Sequence, residues 1–276
     1  MDLAYWGFDR WPFDRRKSSG GPNVGASHEE AMARLMFLVD ERRRCGMLTG
    51  PAGIGKSRLF RRVQSHALRH GRLCVDFDAT GIEADEFVSQ IAEQMFADVS
   101  ANSVASQRWS RIQKRMSALS LVKQPIVILI DHFDLVEFGY SQVIRRLMHL
   151  AEITGADLTV LVAAHERFTA PLLLDVVELS IELLPWTLAE TGEFIDKATR
   201  AAGATTTLFN DDAIDSIQKL THGVAADVIW LCDLCLLAAM SRDIHSVDGE
   251  LVESAASELS PREWLLSERA VVSSRP

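Results

Sequence analysis

The chain has 276 residues, 47% of them hydrophobic, four cysteines and a formal net charge of −9. That is enough apolar material for one large α/β domain plus a smaller one, with too few cysteines for a disulfide framework. No apolar run approaches the roughly 20 residues of a membrane span, and the start, MDLAYWGFDR, lacks a basic stretch followed by an apolar one, so a cytoplasmic location is expected.

Charge is unevenly placed along the chain. Residues 1–75 hold 14 Lys and Arg against 7 Asp and Glu, leaving the remainder strongly acidic. A basic N-terminal half suits a polyphosphate or the acidic surface of a partner, and equally a solvated face. ERRRC (41–45) and SRLFRRV (57–63) supply most of that charge without the aromatic interleaving of a base-stacking groove, so nothing in the sequence demands nucleic acid.

In chain order, residues 1–27 read as a linker, with DRRKSSGGPNVGAS (14–27) rich in loop-forming residues, before a helix at HEEAMARLMFLVDE. Strand-length apolar runs follow at CGMLT (45–49), RLCVDFDA (72–79), PIVILI (125–130), LTVLVAA (158–164) and VVELSIEL (176–183). Between them, Leu59, Phe60, Val63 and Ala67, then Phe87, Val88, Ile91 and Met95, then Trp109, Ile112, Met116 and Leu119, then Val143, Ile144, Leu147 and Leu150 recur at helical spacing. Strands separated by helices predict a parallel sheet covered on both faces, and the uninterrupted IVILI run fits a strand buried on both sides. The core is expected over 28–185. After Pro185 the pattern is helical only, opening on a capping box at TLAE (Thr187 to Glu190), so a small helical lid is expected over 186–245 and an acidic tail over 246–276.

GPAGIGKS, Gly50 to Ser57, fits G-x-x-x-x-G-K-[ST], follows a predicted strand and opens a predicted amphipathic helix. Glycines let the backbone wrap with its N–H groups inward, and the helix N-terminus favours an anion. The nucleotide-binding residues predicted here are Gly50, Pro51, Ala52, Gly53, Ile54, Gly55, Lys56, Ser57 and Arg58. Lys56 would neutralise the terminal phosphates of ATP, and the Ser57 hydroxyl would take a position on Mg2+. Asp131, at the end of the buried IVILI strand, is the expected partner of Ser57 on the metal; its other use is to cap the next helix.

Two further motifs have the outline of a site. CDLC (Cys232–Cys235) has metal-like spacing, but it lies in an apolar helical stretch without a second Cys/His pair, which favours core thiols. GYSQV lacks the second glycine of a nucleophile elbow. Trp6, Trp11 and Trp186 are read as packing residues.

The phrases YWGFDRWPFD, HEEAMARL, MLTGPAGIGKS, ILID, LTVLVAAHERF, LPWTLAETGEFIDKATRAAG and LCDLCLLAAM together resemble AAA+ ATPases of the general secretion pathway protein A type, with related domains in transposition target-selector ATPases. The similarity runs over about residues 3–240. It implies a five-stranded P-loop core with a helical lid, ATP and Mg2+ as ligands, and ATP-dependent remodelling or recruitment of a larger assembly. Larger members add a membrane span and a cell-wall-binding module, so an envelope role is not carried over.

Three departures accompany the resemblance. The family usually places a glutamate after the metal-binding aspartate, where this chain has His132; Asp134 and Glu137 are the nearby carboxylates that could substitute. The family's lid arginines are replaced in HGVAADVIW by Ala225, Ala226 and Asp227. APLLLDVVELS shows no arginine where a trans-acting finger would be sought. His165, after the fourth strand, stands where the family senses the γ-phosphate or the attacking water, or is an ordinary strand-end histidine. A site that keeps its cradle and loses its base should bind better than it hydrolyses.

The expected catalytic set is therefore Lys56, Asp131, His132 and His165, in an ATPase of slow turnover acting with an unidentified protein partner, binding ATP and ADP and self-associating at most weakly. The alternatives are a nucleotide-dependent scaffold or switch with negligible turnover, and a DNA-associated transposition-type regulator.

Overall fold

The computed structural model describes residues 3–13, 25–95, 105–135, 139–168, 173 and 175–258. In chain order the elements are α1 (Leu3–Trp6), α2 (Ala26–Asp40), β1 (Cys45–Thr49), α3 (Lys56–Arg69), β2 (Leu73–Asp78), α4 (Ala84–Met95), α5 (Ala105–Leu121), β3 (Ile126–Asp131), a 3-10 turn at Phe133–Leu135, and α6 (Gly139–Thr154). They continue through β4 (Leu158–Ala164), β5 (Leu179–Glu182), α7 (Leu188–Ala201), α8 (Asp211–Thr221), α9 (Ala225–Ser241) and α10 (Gly249–Ser257). Two compact units result: residues 27–183, and a second formed jointly by residues up to 26 and from 184 onward.

The first unit is an α/β core around a five-stranded sheet in the order β2-β3-β4-β1-β5, every pairing parallel. Alternation along β3 explains why that strand is apolar throughout. Ile126, Ile128 and Ile130 face a core shared with α4, α5 and α6, and Val127 and Leu129 face the opposite core shared with α2 and α3. Register sets the carboxyl edge level: Thr49 pairs with Ala164 and Asp78 with Asp131, so β1, β2, β3 and β4 all end at one rim. The outer edge of β2 is closed by a side chain. Gln94 accepts from Asp76 N–H at 3.1 Å and donates to Asp76 C=O at 2.9 Å, mimicking a further strand at an edge that would otherwise pair with another chain.

The second unit is helical, and its helices are fixed by their ends. Thr187 caps α7 in the predicted box with Glu190, Asn210 accepts from Ala213 N–H at 2.8 Å at the start of α8, and Asp248 accepts from Leu251 N–H at 2.9 Å at the start of α10. The stretch 3–13, within the segment read from sequence as a linker, brings Trp6, Phe8 and Phe13 into this core beside Trp186, Phe194 and Phe209. Trp11 Nε1 donates to Asp233 Oδ1, and Tyr5 stacks on His245 with ring centroids 4.6 Å apart.

The beginning of the expected tail is the nine-residue α10. A helix that short is marginal alone; it is held by Leu251, Val252, Ala255 and Ala256, all buried. Cys232 and Cys235 sit in the same core. Burial pushes the Cys235 thiol up to about 12 and that of Cys232 well above its ordinary value, as core thiols require. Among the described residues, no helix is long and apolar enough to cross a membrane.

Candidate functional site

The predicted loop lies between β1 and α3, at the rim where β3 and β4 also end. Gly55 is the N-cap of α3 at φ +116°, a conformation that side chains rarely adopt, and no side chain bonds across this helix start. The first turn carries no acidic residue, so the positive end of the helix dipole is left for an anion. Lys56 Nζ donates to Gly50 O at 2.7 Å and Pro51 O at 2.9 Å, folding the lysine back across the loop. Burial holds its amine below the usual lysine range, while the charges of Asp134, Asp131 and Glu166 pull the other way. Three carboxylates from the ends of β3 and β4 are thus within electrostatic reach of the loop lysine. Arg58, in the first turn of α3, is also lowered by burial and by the neighbouring Arg62 and Arg61.

Ser57 and Asp131 line one groove of about 280 Å³, together with Phe60, Arg61, Asp78 and His132. A hydroxyl and a carboxylate in one groove are hard oxygen donors suited to Mg2+, which keeps its remaining positions for phosphate and water. Asp131 Oδ1 accepts from the His132 N–H at 2.9 Å.

His132 itself is at φ +53°, and its Nδ1 lies 2.9 Å from Asp78 Oδ1. Because that carboxylate accepts, Nδ1 carries the proton and Nε2 is the lone-pair nitrogen of the neutral ring. Burial acts to raise the Asp78 pKa, but hydrogen bonds from Thr80 and His132 outweigh it and hold the carboxyl below the usual range. Asp134, in the 3-10 turn, accepts from the His165 N–H at 3.0 Å and so ties the end of β3 to the end of β4. His165 Nδ1 in turn accepts from Arg167 N–H at 3.3 Å.

The structure therefore brings Lys56, Ser57, Asp131, His132 and the loop together at one rim, and links His165 to them through Asp134. Glu137 and parts of APLLLDVVELS lie outside the described residues. Ala225, Ala226 and Asp227 form the first turn of α9, with an acid where a cation was sought. Sequence reasoning missed two residues. Asp78 shows only as the end of an edge strand, and strand register alone puts it opposite Asp131. His28 opens a helix far from the loop in sequence, yet its Nε2 lies 2.9 Å from Ile54 O.

Residues 39–170 match the AAA domain family. That match spans a little under half of the chain and takes in the loop, β3 and β4, so the chain carries an AAA domain on its P-loop core. General secretion pathway protein A from Aeromonas hydrophila is 20% identical over 267 residues, covering 94% of this chain and 49% of that protein, so the chain spans about half its length. Among solved structures, Cdc6p from Pyrobaculum aerophilum superposes with a TM-score of 0.71 at 13% identity, covering 94% of this chain and 71% of that one. The Aeropyrum pernix ORC1 protein, solved with DNA, gives 0.67 at 17% identity over 90% and 68%. The Thermotoga maritima RuvB Holliday junction branch migration motor gives 0.54 at 16% over 86% and 70%. At these identities the structural neighbours establish the AAA+ fold, in agreement with the α/β reading of the sequence.

Proposed function

We propose that the chain binds Mg·ATP at residues 50–58 and uses its nucleotide state to organise a larger complex, hydrolysing ATP slowly. The observation that carries this reading is the start of α3. A glycine-wrapped, uncapped and acid-free helix N-terminus has a lysine and a hydroxyl in its first two positions, with a strand-end carboxylate in the same groove.

In this reading Lys56 leaves its two loop carbonyls for phosphate oxygens, and the backbone N–H groups of the loop receive the anion. Ser57 and Asp131 hold Mg2+, which when bound neutralises phosphate charge. His132 stands where the family carries a glutamate. That replacement of the expected base is what favours a nucleotide-bound state that persists, and a switch over a fast motor, while the Asp78 contact fixes the ring with Nε2 as its lone-pair nitrogen. Residues 186–245 form the helical lid domain that the family resemblance implies, the partner is a protein, and self-association is weak. Cdc6p, ORC1 and RuvB lend this chain only their fold.

The test is thermal stability with and without Mg·ATP. A ligand that binds only the native state stabilises it by about 2.7 kcal/mol at a hundredfold excess over Kd, and Lys56→Ala should abolish that gain. Equal shifts in the two proteins would remove the assignment.

A further inference from the structure

We infer that His28 is a positioning residue of the phosphate-binding loop, aiming the N–H of Gly55 at the nucleotide phosphates; this rests on the nucleotide reading above. His28 is the third residue of α2 and is buried, with 7% of its surface exposed. Its Nε2 lies 2.9 Å from the carbonyl oxygen of Ile54. A carbonyl can only accept, so Nε2 carries the proton and donates.

The consequence follows from the geometry of one peptide. The unit joining Ile54 to Gly55 is planar and trans, so its C=O and its N–H point in opposite directions. With the oxygen pinned toward α2, the Gly55 N–H is turned away from α2 into the concavity of the loop. Without that contact the preference is weaker, because the φ of Gly55, on one side of this peptide, can change at little cost.

Two further contacts leave that peptide little freedom. The Ile54 side chain is fully buried in the core shared by α2 and α3, so the residue is held from its side chain as well as from its carbonyl. Gly55 is at φ +116°, and a Cβ there would lie 3.3 Å from His28 Nε2. The absence of a side chain at Gly55 is thus what lets the imidazole approach. His28 touches neither phosphate nor metal in this account; it acts through the backbone and sets the shape of the cradle before the anion arrives.

Two substitutions separate this role from simple packing. His28→Phe keeps a ring of similar volume without a donor, and His28→Gln keeps an N–H donor. In ligand-free protein, amide exchange over residues 50–57 should quicken about tenfold in His28→Phe and stay within about threefold of wild type in His28→Gln, with β3 and β4 unchanged in both. Mg·ATP affinity should fall by about tenfold in His28→Phe and recover in His28→Gln.

Loop exchange in His28→Phe equal to wild type, or equal impairment in both variants, overturns the proposal. Failure of the wild type to bind Mg·ATP would sink the nucleotide reading, while the ligand-free exchange would still decide whether His28 shapes the loop. If His28→Phe does not fold, nitrogen-15 spectra of the wild-type ring decide instead: a neutral ring protonated on Nε2 supports the role, and one protonated on Nδ1 overturns it.

Discussion

The helices of the helical unit and the helix that follows the glycine loop of the core begin in opposite ways. In the helical unit, α7, α8 and α10 are each closed by a side chain, Thr187, Asn210 and Asp248, and α9, which has no side-chain cap, carries Asp227 in its first turn. In the core, α3 starts from a glycine with neither cap nor acid. Capping satisfies the orphan N–H groups of a helix and typically contributes about 1 kcal/mol, so leaving them open forgoes stability. Side chains at these helix starts in the helical unit are thus spent on holding the fold, whereas the start of α3 is left without one, as the proposed nucleotide site requires.

The largest effect expected from this contrast lies in the helical unit. Gly223 is at φ +74°, and a Cβ there would come within 2.0 Å of Trp186 O, on a backbone whose Trp186 N–H already donates to Gly223 O at 2.9 Å. Gly223→Ala should cost more than about 3 kcal/mol in denaturant unfolding of that unit. Protection of loop amides by Mg·ATP should survive. A stable variant with lost nucleotide binding would break the division between fold-holding and ligand-holding groups.

His132 should behave in the opposite sense, with little effect on stability and a change in rate. A placed general base is worth about 10²–10⁴-fold, so His132→Glu should raise single-turnover hydrolysis by about 10²-fold with affinity nearly unchanged, and His132→Ala should do little. A brisk wild-type rate that collapses in His132→Ala would instead make the Asp78-tethered imidazole the working base.

The smallest effect sharpens the contrast within the core itself. Asp40, the last residue of α2 and distant in the fold from the rim, accepts from His66 Nε2 at 2.9 Å and Arg72 Nη2 at 2.8 Å. Burial acts to raise its pKa, but these two hydrogen bonds outweigh it and hold the carboxyl below 3.8. Between that lower folded value and 3.8 the unfolded chain binds more protons, so the contribution is present above 3.8 and fades as pH falls through the folded value. With the Asp40 side chain 43% exposed, this should amount to less than about 1 kcal/mol, read as a shallower acid slope in urea titrations of Asp40→Asn. Loss of Mg·ATP binding in that variant would extend the ligand-holding groups beyond the rim.

How much of this was legible beforehand depended on how local the physics is. The strands CGMLT and LTVLVAA have the bounds their apolar runs suggested, and the capping box at Thr187 formed as written, because each is settled by a few neighbouring residues. The expected β5 shrank from VVELSIEL to Leu179–Glu182, since only that part finds a partner in β1. The packing of Trp6, Phe8 and Phe13 on the helical unit, and the α10 helix within an acidic stretch, depended on contacts that no local pattern carries.

The same division runs through the site. By itself the sequence determined the loop, its lysine and hydroxyl, and the strand-end Asp131, because glycine spacing and an apolar run ending in a carboxylate are statements about adjacent residues. Only the tertiary structure decided that Asp78 takes the ring of His132, that Asp134 ties His165 to the end of β3, and that His28 meets the carbonyl of Ile54. Those pairs join residues 54, 31 and 26 positions apart, and a hydrogen bond between them exists only once strand register and helix packing have brought the atoms within reach.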